Sequence, residues 1–375
     1  MFRKCIAPLA PYVPGRPIAD VKREFGLAEV VKLASNENPW GCSPHVEPAV
    51  VRNFQESAVY PDGYCTRLRS AVSNFYGIPA EHLVFGAGTD EVIAMLGKIF
   101  IEPGDECITG AVTFSQYAAA VESMGGVMRY APMRGHDGRP ASSQGERRGH
   151  GFDLNALLAE ISPKTKLIFI ANPNNPTGTY FSQAAQDAFM AKVPPHIYVV
   201  FDEAYAEYVT AQDYPNTWET LRNYPNAMLL KTFSKVYGLA AFRVGFGVCA
   251  PAVVAEMEKI RCPFNVSLHA QTAAVAALAD QHFVAESRAN NAHIMEETVR
   301  RLTAMGCDCI PSQANFVMLD AKTPSRPLFE ALMAKGYIIR AGAAFGMDNY
   351  IRITIGTPPQ MDGLLAALEE VLSCR

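Results

Sequence analysis

The feature that most constrains the fold is an alternation along the chain between short apolar runs and longer stretches with helical periodicity. Several of the runs are rich in Val and Ile, which is typical of strands covered on both faces. Between the runs, apolar residues recur with helical spacing, as at Val92, Leu96 and Ile99. This alternation predicts an α/β fold with a mostly parallel central sheet between helices. The runs are HLVF (82–85), ECIT (106–109), GVMRY (126–130), KLIFIA (166–171), IYVVF (197–201), AMLLK (227–231) and VGFGVC (244–249).

The last third of the chain has a different order of helical and strand patterns, which predicts a smaller α+β domain. Two long helical patterns near 266–280 and 284–305 precede three strand patterns and a closing helix near 360–373. The strand patterns are NFVML (315–319), YIIR (337–340) and YIRITI (350–355). We expect three parts: 1–44 as an N-terminal arm and part of the small domain, 45–262 as the large domain, and 263–375 as the small C-terminal domain. The segment 133–151, rich in Gly, Arg and Ser, predicts a solvated surface loop, with a mobile basic lid as the alternative.

Charge and composition exclude several classes of function. The net charge of -4 does not favour nucleic acid or an anionic membrane as a partner. No apolar run approaches the roughly 20 residues of a membrane helix, and prolines interrupt the N-terminal segment where a signal peptide would be apolar. The nine cysteines contain no C-x-x-C pair and predict reduced thiols in a cytoplasmic protein. The charged fraction, 19%, is low for a soluble domain and is consistent with a subunit interface.

Several familiar catalytic motifs are absent or incomplete. VFGAGTDEV begins like a dinucleotide-binding turn, but Glu91 occupies the position of its third glycine. No G-x-x-x-x-G-K-[ST] accompanies the strand that ends in Asp202 and Glu203, so an ATPase is not indicated. Zinc-hydrolase, serine-hydrolase and zinc-deaminase motifs are also missing, and we expect no metal site.

Polar residues instead follow four of the predicted strands, at the edge where open α/β sheets bind ligands. A helix start with glycine and hydroxyl groups binds phosphate, a buried carboxylate holds a protonated ring nitrogen, and a lysine beside Arg243 forms a Schiff base. Pyridoxal phosphate is a cofactor that would use all three groups. The residues after the strands are Gly88, Thr89 and Asp90, then Asn175, then Asp202 and Tyr205, and finally Ser234 and Lys235.

The motifs ANPNNPTG, DEAY, TFSK and FRVG, in this order and spacing, resemble the fold-type-I pyridoxal-phosphate aminotransferases. The segments YVPGRPI, LASNENPWG (33–41), YPDGY (60–64), IIRAG and YIRITIG resemble the histidinol-phosphate aminotransferase branch of that family. The resemblance extends from about Tyr12 to the last helix. It implies a large domain and a smaller α+β domain, a pyridoxal 5'-phosphate cofactor and a homodimer.

The resemblance also implies a role for each matching cofactor residue. Lys235 would form the Schiff base and move the proton, Asp202 would pair with the pyridine nitrogen, and Tyr205 and Asn175 would hydrogen-bond the ring oxygen. Phe114 would stack on the ring, although many relatives have Tyr there, and a core Phe is the alternative. The residues implied for the phosphate are Gly88, Thr89, Asp90, Thr232, Ser234, Arg243 and, from the neighbouring subunit, Tyr60.

For the substrates, the resemblance implies that Arg352 binds the α-carboxylate, with Asn36 nearby. Arg340 and Tyr12 would bind the far end of the substrate. Interface packing for Arg340 and Tyr12, and a structural turn for Asn36, remain open. The implied reaction converts L-histidinol phosphate and 2-oxoglutarate to imidazole acetol phosphate and L-glutamate by ping-pong kinetics, in histidine biosynthesis.

Other functions remain open at this point. The same chemistry would serve an aromatic amino-acid aminotransferase acting on phenylalanine or tyrosine, or an enzyme resembling threonine-phosphate decarboxylase. A cofactor-binding regulator would need a DNA-binding domain, for which the Pro-rich first thirty residues leave no room. A solute-binding protein is not favoured, because the N-terminal segment lacks the apolar run of a signal peptide and because the lysine expected to form the Schiff base, Lys235, is intact. The preferred amino donor is not determined by the sequence.

Overall fold

A seven-stranded sheet forms the centre of the computed structural model, which describes residues 2–11, 15–134 and 150–373. The strands, in chain order, are β1 (Val31–Lys32), β2 (Leu83–Gly86), β3 (Glu106–Gly110), β4 (Val127–Ala131), β5 (Met133–Arg134), β6 (Gly151–Phe152), β7 (Thr165–Ala171), β8 (Tyr198–Asp202), β9 (Ala227–Thr232), β10 (Gly245–Val248), β11 (Asp308–Cys309), β12 (Phe316–Asp320), β13 (Tyr337–Ile338), β14 (Arg340–Ala341) and β15 (Tyr350–Thr354).

Helices surround this sheet and build the remaining layers. They are α1 (Ile18–Phe25), α2 (Val46–Arg52), α3 (Thr66–Tyr76), α4 (Thr89–Phe100), α5 (Gln116–Glu122), α6 (Leu154–Ala159), α7 (Gln183–Met190), α8 (Thr217–Asn223), α9 (Pro251–Ile260), α10 (Leu268–Ala279), α11 (Gln281–Ala304), α12 (Ser325–Ala334) and α13 (Pro358–Ser373). Throughout the part of the chain that the structure describes, no helix has both the length and the apolar character needed to cross a membrane.

The predicted α/β fold is confirmed, because each of the seven apolar runs forms one strand of the central sheet. The strand order is β2-β10-β9-β8-β7-β3-β4. Strands β4, β3, β7, β8 and β9 are parallel to one another, whereas β10 runs antiparallel to both β9 and β2. The side chains of β2, β9 and β10 are all buried, as expected for a sheet covered on both faces.

A second sheet, β11-β12-β15-β14, is antiparallel and is formed by the last third of the chain. The single strand expected at 337–340 is two strands that separate at Ile339. The reason is that they serve different sheets: β13 pairs in parallel with β1 of the N-terminal arm, whereas β14 pairs with β15. Main-chain bonds from Val31 to Gly336 (2.8 Å) and from Leu33 to Ile338 (2.7 Å) fix the arm to this region.

The helix that follows residue 262 packs against the N-terminal half of the chain. Helix α10 lies against α2 and α3, and its residues Ala270, Ala273 and Ala274 belong to the same hydrophobic core as the central sheet. A separate core includes Leu33 of the arm and Ile353 of β15. The division of the chain after residue 262 stays a prediction. Of the loop expected at 133–151, the two ends pair as β5 and β6, and residues 135–149 lie outside the described residues.

Candidate active site

The predicted polar residues meet in one cavity of about 240 Å³ at the carboxyl ends of the parallel strands. The strand register produces this convergence, since Ala171 of β7 lies opposite Asp202 of β8, and Asp202 lies opposite Leu230 of β9. The predicted residues that line the cavity are Asn36, Thr89, Asp90, Phe114, Asn175, Asp202, Tyr205, Thr232, Ser234, Lys235, Arg243, Arg340 and Arg352.

Asp202 is a buried carboxylate, with 5% of its surface exposed. Its Oδ2 accepts a hydrogen bond from the hydroxyl of Tyr117 at 2.8 Å, and its Oδ1 accepts one from the main-chain N–H of Ala204 at 3.2 Å. Burial raises the pKa of Asp202 to about 6, against the opposing effects of these hydrogen bonds and of the Lys235 charge. The site therefore contains a carboxylate whose proton affinity depends on its immediate partners.

Lys235 lies in the loop after β9, and its Nζ donates to the main-chain carbonyl of Ser35 at 3.1 Å. The same Nζ lies 5.6 Å from the centre of the Tyr205 ring. A close approach holds this loop against the N-terminal arm: Gly238 has φ 70°, and a Cβ there would lie 1.8 Å from the carbonyl oxygen of Gly41. Only glycine fits this contact, so the loop and the arm pack together beside Lys235.

The other nearby lysine, Lys231, belongs to a different environment. Its Nζ lies 2.9 Å from Glu207 Oε1 and 3.4 Å from Glu203 Oε2, and the side chain is buried. Lys231 is absent from the lining of the cavity that contains Lys235. Of these two lysines, only Lys235 presents its amine to the cavity.

Asn36 connects Tyr205 to the second sheet. Its Nδ2 donates to the Tyr205 hydroxyl at 2.9 Å, and its main-chain N–H donates to Thr354 Oγ1 at 3.0 Å. Thr354 in turn donates to Asn36 Oδ1 at 3.1 Å. Asn36 has φ 56°, a conformation that asparagine adopts more readily than most residues. The arm thus fixes the hydroxyl of Tyr205 from the side of β15.

The start of α4 and the loop before β10 form an anion-binding arrangement. Arg243 Nη2 lies 3.1 Å from Asp90 Oδ2, and Arg243 Nη1 lies 3.4 Å from Ser234 Oγ. Gly88 precedes the helix with φ 78°, and a Cβ there would lie 2.6 Å from Arg243 Nη2. The guanidinium can therefore approach the helix start only because this residue is glycine. The N–H groups of a helix start and an adjacent arginine are suited to phosphate.

Two arginines of the second sheet complete the cavity. Arg352 is buried; its Nη1 donates to Asn175 Oδ1, and its Nη2 donates to the carbonyl of Ala34 at 2.7 Å. Its guanidinium lies 5.6 Å from the centre of the Phe345 ring, and that of Arg340 lies 5.9 Å from the same ring. The structure pairs Asn175 with Arg352, a contact that the sequence did not indicate.

Of the predicted residues, two do not line this cavity and a third lies outside the described residues. Tyr60 is 79% exposed, stacks on Phe264 with ring centres 4.7 Å apart, and does not line the cavity. Gly88 borders the cavity through its contact with Arg243, without lining it. Tyr12 lies outside the described residues.

Sequence reasoning missed several residues of the site. Ser35 acts through its main-chain carbonyl, and Gly15, Tyr117 and Phe345 line the cavity. The only signal for Tyr117 was its position three residues after Phe114; Tyr117 lies in the first turn of α5, and Phe114 precedes that helix. A main-chain carbonyl acceptor such as that of Ser35 cannot be recognised from the sequence, because every residue has such a carbonyl.

The assembled groups fit the cofactor that the sequence implied. A buried carboxylate matches a protonated ring nitrogen, a primary amine matches an aldehyde, and an arginine at a helix start matches a phosphate. Phe114, beside Tyr117 in the lining, supplies an aromatic face for a ring. Each part of the cofactor thus has a chemically suitable partner among the residues present.

Comparison with known proteins identifies the family to which the chain is similar. The family model described as aminotransferase class I and II matches residues 28–368. A histidinol-phosphate aminotransferase of Halalkalibacterium halodurans is 46% identical over 97% of this chain and 95% of its own length. One of Moorella thermoacetica is 43% identical over 99% of this chain and 93% of its own length. Among solved structures, a histidinol-phosphate aminotransferase of Sinorhizobium meliloti in complex with pyridoxal-5'-phosphate has a TM-score of 0.88, with 28% identity, and the match covers 100% of this chain and 98% of that one.

Proposed function

We propose, because the chain belongs to the aminotransferase class I and II family, that it is a pyridoxal-phosphate-dependent histidinol-phosphate aminotransferase. In this proposal it converts L-histidinol phosphate and 2-oxoglutarate to imidazole acetol phosphate and L-glutamate, in histidine biosynthesis. The observation that carries the proposal is a cavity that holds Lys235, the buried Asp202 and three arginines together. Relatives of 42–46% identity over nearly the whole chain have the same activity in their names.

The residues that would hold the cofactor follow from the geometry of the site. Arg243, Ser234, Thr232 and the N–H groups at the start of α4 would bind the phosphate. Asp202 would pair with the ring nitrogen and keep it protonated, and the Tyr205 hydroxyl, fixed by Asn36, would donate to the ring oxygen. Pyridoxal phosphate, when bound, supplies an electron sink for the charge that a departing proton leaves on the substrate carbon.

Lys235 is the base and acid of the proposed reaction. Its amine would hold the cofactor and, once an amine substrate replaces it, would take the proton from the substrate Cα and later return a proton. The Ser35 carbonyl, which accepts from Nζ at 3.1 Å, keeps the amine at the cavity when it is free. Both substrates use this amine in turn, so the kinetics are ping-pong.

The arginines account for the two different substrates. L-Histidinol phosphate has a phosphate and no carboxylate, whereas 2-oxoglutarate and L-glutamate have two carboxylates. Arg352, held by Asn175 and Ala34, presents a fixed guanidinium for the α-carboxylate. Arg340 binds the remaining anionic group, which is the phosphate of one substrate and the side-chain carboxylate of the other.

We further propose that the enzyme is a homodimer. The segment around α2 and the turn after it exposes several large apolar side chains: Val51, Phe54, Val59, Tyr60 and Tyr64 are 62%, 63%, 70%, 79% and 69% exposed, respectively. A second subunit would cover these side chains, and Tyr60 would then reach the phosphate of the neighbouring site.

The proposed location is the cytoplasm. The cysteines of the described residues are all unpaired, which is the usual state of thiols in that compartment. Fractionation of cells that express the protein would test this, and recovery with the membrane or exported fraction would contradict it.

One experiment tests the class of enzyme directly. Pyridoxal phosphate is added, the visible absorption spectrum is recorded, and the complex is reduced with borohydride and digested for peptide mapping. The expected result is a visible band and a cofactor mass on Lys235. Absence of the band, or a mass on Lys231, would reject the proposal.

A panel of amino donors then tests the substrate. We expect the highest kcat/KM with L-histidinol phosphate. A higher value with L-phenylalanine or L-tyrosine would instead identify an aromatic amino-acid aminotransferase. Release of carbon dioxide from threonine phosphate would identify a decarboxylase.

A further inference from the structure

Tyr117 is a fully buried tyrosine beneath the candidate site. Its side chain has 0% exposure and is held on α5 between two aromatic neighbours. Its ring stacks on Phe169 with centres 4.8 Å apart and meets the edge of Phe114 at 5.6 Å. This packing fixes the ring, so the direction of the hydroxyl is also fixed.

The hydroxyl of Tyr117 points to one oxygen of Asp202. It donates to Oδ2 at 2.8 Å, while the N–H of Ala204 donates to Oδ1 at 3.2 Å. The two donors constrain both oxygens of the carboxylate. Asp202 also lines the cavity, where each oxygen keeps a further lone pair available for a ligand.

We propose that Tyr117 is a positioning residue, which orients the Asp202 carboxylate toward the cofactor ring nitrogen and keeps it ionised. This inference rests on the proposed function, because the ring nitrogen belongs to pyridoxal phosphate. Tyr117 acts through Asp202 and need not touch substrate.

The groups around Asp202 give Tyr117 this role. Burial raises the pKa of Asp202 to about 6, and the hydrogen bond from Tyr117 is the largest of the effects that lower it. The N–H of Ala204 and the charge of Lys235, from the loop after β9, also lower it, whereas the charge of Asp90, at the start of α4, raises it. Removing the Tyr117 hydroxyl therefore raises the pKa of Asp202 further and favours its neutral form.

Tyr117 itself stays protonated beside Asp202, and two further tyrosines lie near the pair. Burial and the Asp202 charge raise the pKa of Tyr117 well above its usual range, so it stays a protonated donor. Tyr205, which follows β8, interacts electrostatically with Tyr117. Burial raises the pKa of Tyr214, and the charge of Asp202 raises it as well. Tyr117 thus remains a neutral hydrogen-bond donor at neutral pH.

The test is the variant Tyr117→Phe, which keeps the ring packing and removes only the hydroxyl. The dissociation constant for pyridoxal phosphate is measured with cofactor-free protein across pH. We expect the loss of affinity at low pH to begin at a higher pH than in the wild type. At neutral pH we expect the affinity to be weaker by about tenfold or more, the value of a hydrogen bond to a charged group.

The matched control is Tyr180→Phe. Tyr180 also donates its hydroxyl to an aspartate, with 2.7 Å to Asp213 Oδ1, but that pair is exposed and remote from the cavity lining. Its removal should change neither the affinity nor its pH dependence.

A double-mutant cycle separates positioning from general packing. If Tyr117 acts through the charge of Asp202, then Tyr117→Phe has little effect on affinity in an Asp202→Asn background. An equal loss in both backgrounds, or an unchanged pH midpoint in the single variant, overturns the inference. Wild-type protein that binds no pyridoxal phosphate would reject the proposed function instead, so the two failures are distinguishable.

Discussion

Arg340 and Arg352 lie directly opposite each other on the adjacent antiparallel strands β14 and β15, and both guanidinium groups lie over the ring of Phe345. Directly opposed residues of an antiparallel pair have their side chains on the same face, and like charges there destabilise the sheet. Bound anions relieve this repulsion. We therefore expect this pair of arginines to favour a doubly anionic substrate in the proposed site.

The first prediction separates the roles of these two arginines. Arg340→Ala should lower kcat/KM for L-histidinol phosphate about a hundredfold, because a half-buried charged partner of the phosphate is lost. With L-phenylalanine, whose only anionic group is the α-carboxylate assigned to Arg352, the loss should be much smaller. Steady-state kinetics with both donors measure this, with Arg300→Ala, an exposed arginine paired with Glu297, as the control. Equal losses with both donors would refute the assignment.

The second prediction concerns Tyr60 and the proposed dimer. Tyr60→Ala and Lys235→Ala should each be nearly inactive alone, but mixing the two proteins under conditions that exchange subunits should restore part of the activity. A mixed dimer has one site with Lys235 from one protomer and Tyr60 from the other, and that site is intact. Activity after mixing and the mass of the species in solution provide the measurement. No recovery, despite proven exchange, would show that Tyr60 does not serve a neighbouring site.

The third prediction follows from the raised pKa of Asp202. Its value of about 6 in the folded protein lies above the ordinary 3.8, so the folded state holds a proton that the unfolded state has lost between these values. The free energy of unfolding of the cofactor-free wild type should therefore fall as pH rises from about 4 to 6, by up to about 3 kcal/mol from this residue. Above pH 6 this contribution should stay constant.

Asp202→Asn lacks this titration, so it should gain stability relative to the wild type across that interval while losing transaminase activity. Urea unfolding of both cofactor-free proteins at several pH values measures the difference. Asp187→Asn, a change at an exposed position on α7, provides the control. A difference in stability that does not vary with pH would contradict the prediction.

The fourth prediction is structural and concerns Lys231. Its amine pairs with the buried Glu203 and the half-buried Glu207; burial lowers its pKa, but the charges of both glutamates outweigh burial and raise it. Lys231→Met should lower the free energy of unfolding by about 3–5 kcal/mol, because these two carboxylates lose their counter-charge. Adding Glu207→Gln should recover part of the loss. Lys259→Met, at an exposed pair with Glu256, is the control, and a similar small loss in both variants would disprove the role.

The sequence predicted the central sheet because its strands are short, apolar and buried on both faces. KLIFIA and IYVVF have no period that a surface helix would show, and both form inner strands. The same reasoning failed at YIIR, because nothing local indicates that Tyr337 and Arg340 pair in different sheets. That separation depends on β1 and β15, which are distant in sequence.

For the site, the sequence separated Lys235 from Lys231 by placing Lys231 inside a strand, and the structure gives the two amines different surroundings. It could not identify Tyr117, because a buried tyrosine has the same sequence pattern as any core aromatic residue. Only the 2.8 Å contact with Asp202 distinguishes it. Tyr60 is a separate case, since its proposed contact is with a neighbouring subunit and a single chain cannot show that contact.

The pairing of β1 with β13 has a consequence for how the enzyme is made. The arm that carries Ser35 to the amine of Lys235 is translated before the central sheet, but its strand partner near Tyr337 is translated after that sheet. Closing so long a loop is entropically unfavourable until the partner strand exists. The large sheet can therefore form on the nascent chain with its lysine already present, while the site itself is completed only after β13 has been translated.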